Sequence, residues 1–456
     1  MSIRGQGLPP AGEVEISGRD PVFDTRFRIG EAAAAVLAGV GVAASDLWAL
    51  KTGRRQRVGI DVRHAAAALR STHYLQLQQP DGRFVDADEF ASKVSARITQ
   101  PWPTRDGRWF LPHFSLPHLC ERVCRVLDCE PEPESVAPAV ARRDALELEA
   151  AIAEARACGA MVRSHAEWLA HPHGQVVAAT PLVRITRIGD SPPEPLPDAD
   201  RPLGGIRVLD LTRILAGPIA ARTLAEHGAE VLMVAAEHLP QTPENVIDTS
   251  HGKRSCFLDL RKPDEAEQLR ALARDADVFS QGYRPGVMER HGFGPRSLAA
   301  LRPGIVCLSV SCFGLDGPFS GRAGWEQVAQ TVTGICHEGG EDRPRLLPAA
   351  ANDYTTGYLG AYGIMLALAR RAREGGSYHV EVSLCRSGLY IYGQGKTERG
   401  RPEDNLSAAE LDALRMQSSP ARGAIRHLAP VLELSETPPR WSRPTPVLGG
   451  DVPQWP

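Results

Sequence analysis

Two stretches of this chain carry one pattern at a constant register. "GEAAAAVLAGVGVAASDLWALKTGRRQRVGIDVRHA" begins at Gly30, and "NDYTTGYLGAYGIMLALARRAREGGSYHVEVSLCRS" begins at Asn352. Each reads as a Gly/Ala-rich helix, a basic last turn, a glycine stop and then a strand, "RVGIDV" or "HVEVSL". Gly53 falls opposite Gly375, Val58 opposite Val380, and Glu31 opposite Asp353. A weaker echo relates "SPPEPLPDADRPLGG" (191–205) to "TPPRWSRPTPVLGG" (437–450). Self-similarity of this kind comes before any motif, and it reads as two partial copies of one design.

Between the echoes the material differs. Residues 1–100 are expected to hold the first, non-catalytic copy of the helix and strand. Residues 101–200 are expected to form a small domain ("TRDGRWFLPHF", "HAEWLAHP") with a Pro-rich return. Residues 201–390 read as alternating strands and helices, and 391–456 as a polar, Pro-rich arm. The chain has 456 residues, 43% of them hydrophobic, which is ample for more than one domain. A net charge of −3 offers no global basic field for nucleic acid or a membrane surface. The N-terminus has no apolar h-region, and the apolar run 32–44 is too short to span a bilayer. Nine scattered cysteines favour a reducing cytoplasm over a disulfide framework. Cys120, Cys124 and Cys129 follow His118, and the first two share a helix face. Without a CxxC pair they read as an apolar stripe rather than a metal site.

"GIRVLDL" (205–211) alternates as a strand. "TRILAGP" follows as a loop, "PIAARTLAEHGA" as a helix with Pro218 in its first turn, and "EVLMVAA" as the next strand. This is a βαβ unit, for which a parallel sheet is the default. Ala216 and Gly217 would let a ligand approach a helix N-terminus, but on local grounds a tight structural turn fits them somewhat better. Lys253, Arg254, Arg261, Arg284 and Arg290 fall at strand ends and loops, where guanidinium forks suit phosphates and where solvated charge is also ordinary. Asp353, in "AANDYTTGYLGAYG", lies among small and aromatic residues. It is either a helix cap or a reactive carboxylate.

"GIRVLDLTRILAGPIAARTLAEHGAEVL", "KRSCFLDLR", "ADVFSQGYRPGVMERHGFG", "FGLDGP" and the Asn352 stretch occur in one order. In that order they resemble the family III CoA-transferases, which include formyl-CoA and carnitine CoA-transferases and alpha-methylacyl-CoA racemase. The likeness runs from Gly204 to Ser387. Residues 20–200 look like the later portion of the family pattern, so the order is rearranged and partly duplicated. The resemblance implies an α/β fold with a Rossmann-like parallel sheet and a smaller α+β domain. It implies Asp353 as the catalytic acid, Glu326 as an auxiliary acid, and CoA contacts at Leu215, Ala216, Leu258, Arg261, Tyr283 and Arg290. Gly324-Trp325-Glu326 stands where racemases carry Gly-His-Asp, and Trp cannot transfer a proton. Departures are Ala235 where an acid closes the second strand, Gly282 where an Asn precedes the aromatic, and Glu31 in the first copy.

The implied activity is an acyl-CoA:carboxylate CoA-transferase working through an aspartyl-acyl anhydride on Asp353. The alternatives are a non-catalytic CoA-binding member, or an acyl-CoA racemase or isomerase. The implied partners are acyl-CoA and a carboxylic acid, in a homodimer. CoA acts as substrate, with no permanently bound cofactor and no metal.

Overall fold

The computed structural model describes residues 2–87, 93–421 and 423–456. Strand β1 (Val14–Ser17) leads into helix α1 (Ile29–Thr52), and β2 (Val58–Asp61) follows the Gly53 turn. Gly53 has φ 74°, the left-handed conformation that ends a helix most readily on glycine. By length and composition α1 could cross a membrane (mean hydropathy 1.7), but 83% of its apolar window is buried inside the protein. The 24-residue helix thus extends well beyond the apolar run noted in the sequence, and its apolar surface is packed against protein.

A small domain follows. Helix α2 (Pro117–Leu127) and two further helices pack on a three-stranded antiparallel sheet (Trp102–Pro103, Trp109–Pro112, Gly159–Met161). Phe110, Val123, Val136, Leu148 and Ile152 form its own core. Cys120, Cys124 and Cys129 are half-buried against that core, and burial raises the pKa of all three thiols.

The chain then enters the main sheet: β3 (Arg184–Gly189), β4 (Arg207–Asp210), helix α3 (Ala216–Glu226), β5 (Glu230–Ala235), β6 (Lys253–Phe257), helix α4 (Pro263–Arg274), β7 (Val278–Gln281) and β8 (Val306–Ser311). Helices α5 (Glu326–Thr333) and α6 (Ala351–Glu374) precede β9 (Ser377–Ser383), and β10 (Glu433–Leu434) lies near the C-terminus. The seven strands run β6-β5-β4-β7-β8-β9-β3, all parallel except the edge strand β3. This is the expected Rossmann-like α/β architecture, and its strand order reverses between β4 and β7. Ligands of open parallel sheets bind beyond the carboxyl ends of the strands at such a point. The C-terminal segment covers the β6 edge: Asp451 and Ser255 exchange two hydrogen bonds, of 2.7 and 2.8 Å.

The echoes in the sequence correspond to a reciprocal exchange. β1 and β2 are parallel and β10 closes them antiparallel, just as β8 and β9 are parallel and β3 closes them. β3 precedes the first Pro-rich stretch but pairs with the second copy's β9. β10 precedes the second Pro-rich stretch but pairs with the first copy's β2. Each half thus completes the other's sheet. Helices α1 and α6 pack together in the shared core, with Gly39 against the Tyr362 ring.

Candidate active site

The turn after β4 is held by a buried ion pair. Lys253 donates to Asp210 (2.8 Å) and to the Pro218 carbonyl (3.0 Å), and neither charged side chain has any exposed surface. The other carboxylate oxygen of Asp210 accepts from the Thr212 amide (3.0 Å) and from its hydroxyl. Ile214 then adopts φ 74°, a conformation β-branched residues rarely take and one that clusters at functional sites. Helix α6 crosses this turn closely. A Cβ on Gly357 would lie 2.6 Å from the Ala216 carbonyl, so only glycine allows the approach. Asp353 is one helical turn before Gly357 and therefore on the same face, above residues 215–217.

Here a cavity of about 260 Å³ opens beyond the ends of β4, β7, β8 and β9. Thr212–Gly217, Gly282–Pro285, Val310–Cys312, Arg322–Trp325, Asp353 and Leu384 line it from the second half, and Leu116, His118 and Leu119 from α2 and its N-cap. Among the described residues lining it, Asp353 is the one carboxylate, and Arg213, Arg284 and Arg322 line the same cavity.

Whether Asp353 merely caps its helix has a geometric answer. The residue before α6, Ala350, offers no side-chain cap, and the cap comes from Glu326. One Glu326 oxygen accepts from the Asn352 amide (3.1 Å) and from the Gln330 side chain (2.6 Å), and the other from the Asp353 amide (2.6 Å). Among the described residues no group donates a hydrogen bond to the Asp353 carboxylate. Burial raises the pKa of Asp353 well above its ordinary value, and the Glu326 charge raises it further. Burial also pushes Glu326 up to about 7 against the pull of its three hydrogen bonds.

The first copy reproduces this clamp with different chemistry. Asp20 accepts from the amides of Gly30 (3.3 Å) and Glu31 (2.8 Å), the counterparts of Asn352 and Asp353. Glu31 is paired with Arg28 at 2.8 Å, so its charge is already met. The first copy also grips the second one residue beyond the acid. The Tyr354 hydroxyl is 2.9 Å from the Ser71 hydroxyl and accepts from the Thr72 amide, and Ser71 and Arg222 both donate to Asp248.

Of the residues singled out in the sequence, the fold gathers Leu215, Ala216, Tyr283 and Asp353 around the cavity. Glu326 lies behind it as the helix cap. Leu258 is in the core under the sheet, and Arg261 is an exposed side chain paired with Asp259 at 2.6 Å. Arg290 is exposed at the end of a short helix and does not line the cavity. Sequence reasoning missed Arg213 and Arg322. It counted Arg284 among several strand-end cations, and it weighed His118 only as a metal ligand. Burial lowers the pKa of His118, and the charges of Arg122, Arg213 and Arg284 lower it further, so His118, Arg213 and Arg284 share one end of the site. Among the described residues neither arginine has a carboxylate partner. Arg213 bonds the Pro240 carbonyl while its Nε is buried without a partner, and Arg284 reaches only the Arg156 carbonyl at 3.5 Å.

The model of CoA-transferase family III matches residues 11–192 and 203–409, and the chain belongs to that family. It is 33% identical over 408 residues to "Acetyl-coenzyme A transferase nodX" of Hypoxylon pulicicidum, covering 80% of this chain and 69% of that protein. It is 34% identical over 319 residues to "Acyl-CoA transferase" of Gibberella moniliformis, covering 64% and 56%. Against the mouse succinyl-CoA:glutarate CoA-transferase it is 32% identical over 226 residues, covering 44% and 52%. Beyond the first, the chain thus spans about half the length of these relatives. Among solved structures, a CAIB/BAIF family protein from Brucella suis is 29% identical with a TM-score of 0.40, covering 50% of this chain and 65% of that one.

Proposed function

We propose that the chain transfers CoA from an acyl-CoA thioester to a carboxylic acid, with Asp353 as nucleophile. The observation carrying this is the Asp353 carboxylate, among the described residues the one acid lining a strand-end cavity, relieved of capping by Glu326 and left without a hydrogen-bond donor. A carboxylate oxygen attacks the thioester carbonyl, the C–S bond breaks, and CoA leaves as thiolate, giving an aspartyl-acyl anhydride. The thiolate attacks the aspartyl carbonyl, releasing the donor acid and leaving CoA as a thioester on Asp353. The acceptor carboxylate attacks that thioester, and the returning thiolate takes the new acyl group and frees Asp353. On this scheme CoA acts as a substrate. Relatives named as CoA-transferases support the reading. Trapping an acyl group on Asp353 with hydroxylamine tests it. Loss of an alpha-deuterium without CoA transfer would favour the isomerase alternative, and CoA binding without turnover the non-catalytic one.

Arg213 and Arg284 are placed to meet the anionic part of CoA. A charge-assisted hydrogen bond contributes about 1.5–3 kcal/mol. Arg284→Leu should therefore raise the KM for acyl-CoA about tenfold or more, with a smaller effect on kcat. An unchanged KM would place the phosphates elsewhere. Residues of both halves of the chain line the cavity. Light scattering on the purified chain reads the homodimer implied by the resemblance.

The acid pair gives a pH signature. Asp353 attacks only when ionised, so activity should rise with pH through its elevated pKa, with an acid limb above the ordinary carboxylate range. Glu326→Gln removes a like charge and should move that limb to lower pH, while turnover drops because an amide offers one acceptor oxygen to two helix amides. A limb that stays in place would show that the pair is not coupled during turnover.

A further inference from the structure

We propose that Arg322 selects the acceptor acid: it holds the far carboxylate of a dicarboxylic acid whose near carboxylate reacts at Asp353, an inference that rests on the transferase reading above.

The charge around Arg322 is unbalanced. Its nearest acid is Glu149, which is already engaged in a two-pronged pair with Arg163, at 2.7 and 2.6 Å, both side chains being nearly buried. Glu149 also accepts from the Met161 amide at 3.1 Å. Arg322 reaches Glu149 only at 3.5 Å. Two guanidiniums therefore share one carboxylate, and the more accessible of them, Arg322, lines the cavity. Its guanidinium carbon lies 3.5 Å from the Phe319 ring centre, a cation–π contact on the face of the fork, whose donors lie in its plane.

Position separates this cation from the two at the CoA end. Arg213 and Arg284 follow β4 and β7, whereas Arg322 follows β8, on the loop that carries Gly324 and Trp325 into α5. A planar fork matches a carboxylate in a bidentate manner. A neutral acceptor tail would leave a partly desolvated guanidinium only weakly compensated, which is costly. An acid bearing a second carboxylate restores the balance.

The test compares two five-carbon acceptors, glutarate and valerate, with acetyl-CoA as donor. The intact chain should prefer glutarate by about tenfold or more in kcat/KM, as one charge-assisted contact allows. Arg322→Met should raise the KM for glutarate about tenfold, and Arg322→Lys by less, while both leave those for valerate and acetyl-CoA within about twofold. Thermal unfolding identifies a variant that has merely lost its fold, and Lys, which keeps the charge, should retain more of the preference than Met. Equal losses on both acids, or no preference in the intact chain, would overturn the inference. If acyl-Asp353 still forms in that case, the transferase reading survives. If no acyl-Asp353 forms with any donor, both fall.

Discussion

Asp353→Ala is expected to lower CoA transfer by about a thousandfold or more, since on the proposed mechanism it removes the atom that forms the covalent intermediate. The same change should leave the protein as stable as before, or more so. The carboxylate accepts no hydrogen bond among the described residues, and it is held beside Glu326, so alanine removes a buried, like-charged neighbour rather than a structural contact. The sign follows from the raised pKa. An acid whose folded-state pKa lies above its unfolded value is penalised once pH exceeds the unfolded one, so any gain should appear toward neutral pH. A helix-capping acid would behave in the opposite way, with stability lost and rate kept. Acyl-CoA turnover and urea unfolding on one preparation, with Asp353→Asn as the isosteric control, separate the two. Full activity in the alanine variant would defeat the proposal.

The contrast with Glu31 shows what could be read in the sequence. The repeated helix and strand were visible because small residues recur at one register, and the fold pairs those helices and exchanges the flanking edge strands. The acid that caps each helix was not visible. Asp20 lies 10 residues before Gly30, whereas Glu326 lies 26 before Asn352, so no constant register relates them. Only the folded chain shows that both perform one task, leaving Asp353 open and Glu31 tied to Arg28. The cation set was also partly hidden. The motif points to Arg261, but Asp259, two residues away, engages it. Arg213 stands in the quoted turn "TRILAGP", yet nothing local gives its direction. The left-handed Ile214 that helps aim this turn has no sequence signal, because β-branched residues do not announce such a conformation.

The largest expected loss of stability lies beneath that turn. Lys253→Met leaves Asp210 buried without its counter-charge, and breaking one side of a buried pair costs about 3–5 kcal/mol. Burial lowers the pKa of Lys253 and the Asp210 charge opposes that effect, so the lysine depends on the same partner. Replacing both, as Lys253→Met with Asp210→Leu, should recover part of the loss, because an apolar pair of similar volume is often neutral. Activity should not recover with it. Asp210 also holds both the amide and the hydroxyl of Thr212, and through them the path of the chain to Leu215 and Ala216. Urea unfolding of the single and double variants gives the pair's coupling, and the acyl-CoA KM of the double variant reports the turn. Restored stability with a raised KM is the expected outcome. If Lys253→Met unfolds within about 1 kcal/mol of the parent, the buried pair is not the support of the site.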